Sequence, residues 1–333
     1  MTWILIFAIL FGFLFTFLVM PFWIKKTRKS GLLWEDMNKK GHPKNVAASG
    51  GIITVAGFIL SILAYLALRR FFVGESIFQV EIFALIGVIL ILCLVGLVDD
   101  LLGWHKGGLS TKVRVLLACA ASIPLIVINA GVHELSIPFI GAINFGIFYP
   151  LVIIPLAVGF VTTTYNFMAG YNGLEAGLGV IMLSFLSFVS VFTGNYWLAI
   201  VGMCMVACLI GFLIFNWSPA KVFPGDILTY SVGALIISMG ILGNFESIVF
   251  IIFIPFLLEV ILKIRGKLKK QSFGKVLDDG TLDKPYDKIY SLTHLAIVFL
   301  KKLKGRATEK EVVYVIYAIE IIFILLATAA LII

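Results

Sequence analysis

The sequence predicts an all-α polytopic membrane protein with ten transmembrane helices. Three observations carry that expectation. Hydrophobic residues make up 61% of the 333 residues and charged residues only 13%, where a soluble chain carries roughly 25% charge. Ten stretches approach the ~20 apolar residues needed to cross a bilayer core about 30 Å thick. With ten crossings, 24 of the 26 Lys and Arg residues fall on one face, which the positive-inside rule makes cytosolic, leaving both termini external. The composition excludes an ordinary soluble enzyme, a disordered chain and a secreted disulfide scaffold.

The expected spans cover residues 2–24, 50–68, 82–98, 113–130, 147–165, 176–193, 197–216, 227–242, 248–263 and 312–333. The first lacks a basic n-region and is too long for a signal h-region, so it reads as a retained helix. The basic residues fall as seven between Lys25 and Lys44, three between Lys106 and Arg114, Lys221, and thirteen between Lys263 and Lys310; only Arg69 and Arg70 fall on the other face. Most of this charge serves to orient the chain and touch anionic headgroups, and no aromatic-interleaved basic run points to nucleic acid. The external segments are short. Residues 133–143 alternate partly around Pro138 and Gly141 and suggest a short β-hairpin. The chain reads as one membrane domain, 1–333, whose longest cytosolic loop, 264–311, is too short to be a catalytic domain. Within that loop Ile289, Leu292, Ala296, Phe299 and Leu303 keep a helical spacing, read as an amphipathic helix lying on the membrane surface. Cys93, Cys119, Cys204 and Cys208 all lie in apolar runs and read as free buried thiols.

Acids are scarce, so their placement is informative. Asp99 and Asp100 stand side by side at the cytosolic end of the third span, where two carboxylates are most easily tolerated beside a cation. Asp226 follows Pro224-Gly225 at the start of the eighth span, where it can equally cap a helix. The loop 162–175 holds Asn166, Gly170, Asn172, Gly173 and Glu175; its glycines permit positive φ or close approach of backbone to a ligand. Asp99, Asp100, Asn166 and Asp226 are hard oxygen donors with no His or Cys beside them. That set suits Mg²⁺ or Mn²⁺ bridging a phosphate and disfavours zinc. Lys39, Lys44, Lys112, Arg114, Lys221 and Arg265 are the basic candidates for phosphate. Acids for a metal and bases for phosphates on one cytosolic face suggest phosphoryl transfer involving a membrane lipid. A secondary transporter is the alternative class, but it should carry its polar residues near the bilayer midplane; the only acids deeper in the spans are Glu259 and Glu320.

These motifs, in this order and spacing, resemble the polyprenyl-phosphate N-acetylhexosamine-1-phosphate transferase family. The resemblance runs from about Asp36 to Thr293 and rests on Asp36-Met-Asn38-Lys39 with Gly50-Gly51, Val98-Asp99-Asp100, the Asn166 loop, and Phe223-Pro-Gly-Asp226. Bacterial relatives usually carry Asp-Gly-x-Asp-Gly in the fifth-span loop. The sequence Ala169-Gly-Tyr-Asn-Gly-Leu-Glu-Ala-Gly177 looks instead like the archaeal and eukaryotic dolichyl-phosphate branch, as does Phe215-Asn-Trp-Ser-Pro-Ala-Lys-Val-Phe-Pro-Gly-Asp226. The resemblance implies transfer of GlcNAc-1-phosphate from UDP-GlcNAc to dolichyl phosphate with release of UMP, the first step of lipid-linked oligosaccharide assembly for N-glycosylation. The alternative is a bacterial-type transferase using another UDP-sugar or undecaprenyl phosphate. It further implies Mg²⁺ or Mn²⁺ on Asp226, Asn166 and Asp99, and catalysis by Asp99 and Asp100 with either Lys112 or Arg114. Substrate contacts are expected from Asp36, Asn38, Lys39, Lys221, Arg265 and Glu175, with uridine on the Gly170–Gly173 backbone beside Asn172. The chain departs from the family in the long loop: the Arg-His-Arg cluster of the eukaryotic enzymes has as its nearest counterpart Arg265-Gly-Lys-Leu-Lys-Lys270, and the loop's one His is His294. A homodimer is a possible assembly, and the compact chain with short external loops favours an archaeal plasma membrane over the ER.

Overall fold

A computed structural model describes residues 2–74, 78–137 and 141–332. It is a helical bundle. The helices are α1 (Thr2–Ser30), α2 (Gly51–Val73), α3 (Gln79–Lys106), α4 (Thr111–Ala120), α5 (Ile123–Val127), α6 (Ile154–Phe167), α7 (Leu174–Phe192), α8 (Tyr196–Asn216), α9 (Gly225–Gly243), α10 (Glu246–Ile252), α11 (Ile254–Arg265), α12 (Leu292–Lys304) and α13 (Glu309–Ile332). A π-helical turn, Tyr149–Ile153, leads into α6. Three antiparallel strand pairs lie at the ends: β1 (Leu33–Glu35) with β2 (Lys44–Ala47), β3 (Glu134–Ile137) with β4 (Gly141–Asn144), and β5 (Lys275–Val276) with β6 (Leu282–Asp283). Residues 138–140, where the β3–β4 turn was expected, and Ile333, the expected end of the last span, lie outside the described residues.

Eight described helices are long and apolar enough to cross a membrane on their own, and nine if the bent pair α10–α11 counts as one. The sequence predicts ten. The difference lies at residues 113–130, which form two short helices, α4 and α5, separated at Ala121–Ser122. At ~1.5 Å per residue, the ten residues of α4 span about half a bilayer core. Pro124 at the start of α5 lacks the N–H that would continue the α4 ladder. Pro255 does the same between α10 and α11, which meet at 54°.

The core is apolar almost throughout, and most hydroxyls within it are turned back onto their own helices. Thr163 donates to the Gly159 carbonyl, Thr164 to Phe160, Ser187 to Leu183 and Ser190 to Leu186, all four residues back, so no partner need be found in lipid. The most enclosed helix is α9, which packs on α2, α3, α6, α7, α8 and α10. Its contact with α3 brings the two backbones together. A Cβ at Gly96 would stand 2.6 Å from the Ile227 amide nitrogen and 2.7 Å from the Asp226 carbonyl carbon. Only glycine lets the two backbones touch here. One turn further along α3 come Asp99 and Asp100, which are thereby set against the first turn of α9.

Two connections close the same end of the bundle. The β1–β2 hairpin is stitched to the segment before α9: the Ala47 amide donates to Lys221 O (3.2 Å), the Phe223 amide to Ala47 O (2.8 Å), and the Gly50 amide to Phe223 O (2.8 Å). The segment 266–291 folds over this end and leads into α12. The expected single apolar stripe of α12 is two stripes. Leu292, Ala296, Ile297 and Leu300 are buried against the protein, while Leu295, Phe299 and Leu303 are exposed. Leu292 and Ala296 therefore serve the core, and Ile289 lies before the helix. At the opposite end, the Val132 amide donates to Asn244 Oδ1 (2.8 Å) and joins the β3–β4 pair to the C-terminus of α9.

Replacing Gly96 by Val should force α3 and α9 apart, at a cost of about 1–3 kcal/mol or more. The expected result is a lower melting temperature in detergent. An unchanged melting temperature would show that the contact is looser than the geometry indicates.

Candidate functional site

The site lies where α3, α6 and α9 end beside the loops 31–50, 166–174 and 266–274. Asp100 is nearly buried and spends both oxygens on protein donors: Oδ2 accepts from the Ser49 hydroxyl (2.8 Å) and Oδ1 from the Asp226 amide (2.8 Å). A carboxylate across the N-terminus of α9 satisfies one of the orphan amides there and opposes the positive end of the helix dipole. Asp99, 4% exposed, faces the other way. Its Oδ1 accepts from the Leu109 amide at 2.6 Å, closing the turn after α3. Its Oδ2 lies 3.1 Å from Arg114 Nε without a hydrogen bond of good geometry. Arg114 also places Nη1 3.7 Å from Asp226 Oδ2, so one guanidinium stands between the two acids. The Asp226 side chain is about a quarter exposed, at 24%, and Asn166 Oδ1 accepts from the Thr229 hydroxyl at 3.2 Å.

Two cavities flank these residues and share Asn166, Ala169, Gln271 and Phe273. The first, about 520 Å³, is lined by Glu35, Asp36, Asp100, Glu175 and Asp226 against one cation, the predicted phosphate candidate Lys44, with Trp34, Tyr171 and Phe223. The second, about 440 Å³, carries Arg114, Lys263 and Lys270 with Tyr230. One is acidic and the other basic, and Asn166 and Asp226 stand near their junction.

The loop between α6 and α7 is held by side chains from four other segments. Asn38 donates to the Gly170 carbonyl (2.8 Å), and Glu175 Oε1 accepts from the Gly170 amide (2.7 Å). Asn172 Nδ2 donates to Asp36 Oδ2 (3.0 Å), and its amide donates to Glu309 Oε1 (3.0 Å). The Gly173 amide donates to Asn216 Oδ1 (3.1 Å), while Tyr317 donates to the Gly173 carbonyl (2.6 Å). Gly170 has φ +112° and a Cβ there would lie 2.6 Å from the Phe273 ring, so glycine is required at this position.

The predicted residues therefore divide. Asp36, Asp99, Asp100, Arg114, Asn166, Gly170, Glu175 and Asp226 line the cavities or touch a residue that does. Asn38, Asn172 and Gly173 hold the loop. Between the two basic alternatives the geometry favours Arg114, because Lys112 is exposed and makes no ion pair among the described residues. Lys39 is committed to an ion pair with Glu309. Lys221 takes part through its backbone while its side chain is exposed. Arg265 is exposed over the Tyr290 ring at 5.9 Å. These three cations do not line either cavity.

The donors fit a hard divalent cation. Asp99 Oδ2 is a buried oxygen without a hydrogen-bond partner, and the Asp226 carboxylate and Asn166 amide stand beside the acidic cavity. Among the described residues no three His, Cys, Asp or Glu side chains form a cluster that would hold a metal alone.

Residues 82–244 match glycosyl transferase family 4. A Saccharolobus solfataricus protein is 37% identical over 96% of this chain and 94% of its own length, and one from Sulfolobus acidocaldarius is 35% identical over the same shares. Both are provisionally named UDP-N-acetylglucosamine–dolichyl-phosphate N-acetylglucosaminephosphotransferase. A Dictyostelium discoideum protein bearing that name outright is 27% identical over 79% of this chain and 72% of its own. The chain belongs to the polyprenyl-phosphate N-acetylhexosamine-1-phosphate transferases.

In this transferase several site residues carry no signal that sequence reasoning had found. Lys263, Gln271 and Phe273 reach the cavities because the segment after α11 folds back over them, bringing with them Lys270 from the basic run the sequence marked. That fold-back rests on a buried polar knot. Glu259 accepts from the Leu292 amide (2.7 Å) and the Ser291 hydroxyl (3.1 Å), and Thr293 donates to Ser272 O (2.6 Å). Tyr230 sits one turn beyond Asp226 on α9, a spacing that could have flagged it.

His294 is wholly buried in this knot, packed edge-on against Tyr286 with Lys263 nearby. Burial pushes its imidazole down from 6.5 to about 4. The folded state keeps it neutral while the unfolded chain protonates near 6.5, so its contribution to stability is complete above 6.5 and is lost as pH falls towards 4. Wild-type melting temperature should therefore drop more steeply between pH 6.5 and 4 than that of His294→Gln. Parallel profiles for the two proteins would refute the assignment.

Proposed function

We propose that this integral membrane transferase moves N-acetylglucosamine-1-phosphate from UDP-N-acetylglucosamine to dolichyl phosphate and releases UMP. This is the first step of lipid-linked oligosaccharide assembly for N-glycosylation. The observation that carries the proposal is the pairing of an acidic and a basic cavity across Asn166, with Arg114 between Asp99 and Asp226. The names borne by the relatives agree with it.

The nucleotide sugar takes the acidic cavity, with uridine against the Gly170–Gly173 backbone and the diphosphate towards Asp226. Asp226, Asn166 and Asp99 would hold Mg²⁺ or Mn²⁺. Bound there, the ion would offset the diphosphate charge and polarise the phosphoryl group under attack. The acceptor phosphate takes the basic cavity, beside Arg114, Lys263 and Lys270. Its isoprenoid chain has a ready path. A third cavity of about 330 Å³ is lined by apolar side chains including Ala157, Phe160, Ile237, Phe253 and Leu257. Phe160 on α6 and Leu257 on α11 lie one to two turns from Thr163 and Lys263, which line the basic cavity.

An acceptor phosphate oxygen attacks the sugar-bearing phosphorus. The bond from that phosphorus to the UMP oxygen breaks, and UMP leaves with the electron pair. A phosphate monoester has a second pKa near 6, so the attacking oxygen is largely ionised at pH 7. Asp99 can take the proton from the monoanion that remains. Arg114 gathers the two anions against their repulsion and meets the charge that develops on the equatorial oxygens. Asp100 acts differently: its oxygens hold Ser49 and the Asp226 amide, which fixes the first turn of α9.

In the proposed topology the chain crosses ten times, α4–α5 as a broken span, with the site in the cytosol and both termini outside. The connectivity supports this: the loops after α3 and α6 meet at one end, so the broken α4–α5 segment must return the chain to the other. The distribution of 24 basic residues on the site face supports the same orientation, and exposed Leu295, Phe299 and Leu303 let α12 rest on the membrane surface. The likeness to the Saccharolobus and Sulfolobus proteins supports an archaeal plasma membrane.

Purified protein incubated with Mg²⁺, dolichyl phosphate and a panel of UDP-sugars should release UMP with UDP-GlcNAc. Asp226→Asn and Asp99→Asn should each lose about 10²–10³-fold or more in rate, in keeping with removal of one charged group from a transition state, while retaining the wild-type melting temperature. Release of UMP at the wild-type rate by either variant would sink its proposed role, and preference for another UDP-sugar would reassign the donor.

A further inference from the structure

The last helix carries nothing that the sequence marks as functional, yet two of its side chains reach the nucleotide loop. Glu309, in the first turn of α13, is 7% exposed. It joins three segments: Oε1 accepts from the Asn172 amide (3.0 Å), and Oε2 accepts from the Ser218 hydroxyl (3.2 Å) and pairs with the Lys39 ammonium. Two turns along, Tyr317 donates to the Gly173 carbonyl at 2.6 Å. The path of that hydroxyl is cleared by Gly177, where a Cβ would lie 1.7 Å from it. The peptide groups on either side of the Asn172–Gly173 peptide are thus held by one helix.

These contacts have a common consequence. Gly173 has φ +89°, so the chain reverses at this point, and the Asn172 side chain is turned onto Asp36. Neither Glu309 nor Tyr317 lines either cavity, so neither is placed to touch substrate. What they fix is the conformation of the Asn172–Gly173 peptide. A loop free to sample other conformations would present its uridine-binding form for only part of the time, and apparent affinity falls by that fraction.

We propose that Glu309 and Tyr317 are positioning residues for nucleotide binding, and that α13 sets the affinity for the UDP moiety without entering the chemistry. The inference rests on the assignment of the 170–173 loop to the nucleotide. Lys39 then acts through Glu309: it neutralises the carboxylate and does not meet phosphate.

The test measures binding and turnover in parallel on the full-length protein in detergent. UDP-GlcNAc and UMP binding are followed by calorimetry, and UMP release is followed at saturating dolichyl phosphate. Glu309→Ala and Tyr317→Phe should each weaken nucleotide binding and raise KM for UDP-GlcNAc, by about tenfold for Glu309, as expected when a hydrogen bond to a charged group is lost. The kcat and the KM for dolichyl phosphate should stay within twofold of wild type. Glu309→Gln keeps an acceptor for the Asn172 amide and should recover part of the affinity. Tyr317→Phe removes only a hydroxyl, so it reports on the loop even if Glu309→Ala folds poorly. Wild-type nucleotide affinity in both variants would overturn the inference, as would equal losses towards both substrates. A wild-type protein that binds nucleotide but releases no UMP would overturn the proposed reaction and leave the binding comparison to decide the role of α13. Absence of nucleotide binding by the wild type would overturn both.

Discussion

The contact on which the site depends is the backbone meeting of α3 and α9 at Gly96. Within one turn of it, Asp100 spans from Ser49 to the Asp226 amide, so three separate stretches of chain are locked by one carboxylate. In a low-dielectric setting such a bond is strong when made and costly when broken. Everything downstream inherits this geometry. Asp226 and Thr229 follow on the first turns of α9, Asn166 is held by Thr229, and Asp99 is left facing Arg114. Moving α3 by the width of a methyl group would displace both acids together.

The second constraint is that buried backbone polar groups must find partners within the protein. The loop between α6 and α7 is irregular and largely buried, and buried irregular backbone must be satisfied by protein. Side chains do this: Asn38, Glu175, Glu309, Asn216 and Tyr317 each bind a backbone group of residues 170–173. A loop held from so many directions has few alternatives, which is what a nucleotide site needs if binding energy is not to be spent on ordering.

Much of this was legible in the sequence, for physical reasons that also mark its limits. Long apolar runs announce helices, so eight spans match directly. Residues 113–130 and 248–263 are broken where the sequence reads continuous helices, because hydropathy averages over Pro124 and Pro255, which break helices without making them polar. Asp99, Asp100, Asp226 and Asn166 stood out because acids and amides are costly in apolar surroundings. The division of labour between Asp99 and Asp100 could not be read, since adjacent residues on a helix point about 100° apart and only the packing of α9 decides which faces the cavity. Lys39 and Glu309 illustrate the harder case. Each looks like an ordinary interfacial charge, and they are 270 positions apart; only the fold brings them together and converts a phosphate candidate into a structural ion pair.

The abundance of basic residues therefore says less about catalysis than the bonds made by the few acids. Four carboxylates at or near the site each have one oxygen on a backbone amide: Asp99 on Leu109, Asp100 on Asp226, Glu175 on Gly170 and Glu309 on Asn172. Neutral donors hold these anions in shape without consuming a cation for each. Lys39 pairs with Glu309 and Lys263 lies 3.6 Å from Glu259, but Arg114 is shared between two acids, Asp99 and Asp226, at 3.1 and 3.7 Å, and a planar guanidinium with five N–H donors can keep these contacts while offering others to phosphate. A lysine in its place, with one compact charge, would have to choose between the acids and the substrate. The amide-held acids and the shared arginine are thus two parts of one arrangement, which keeps positive charge available where two anionic substrates must meet.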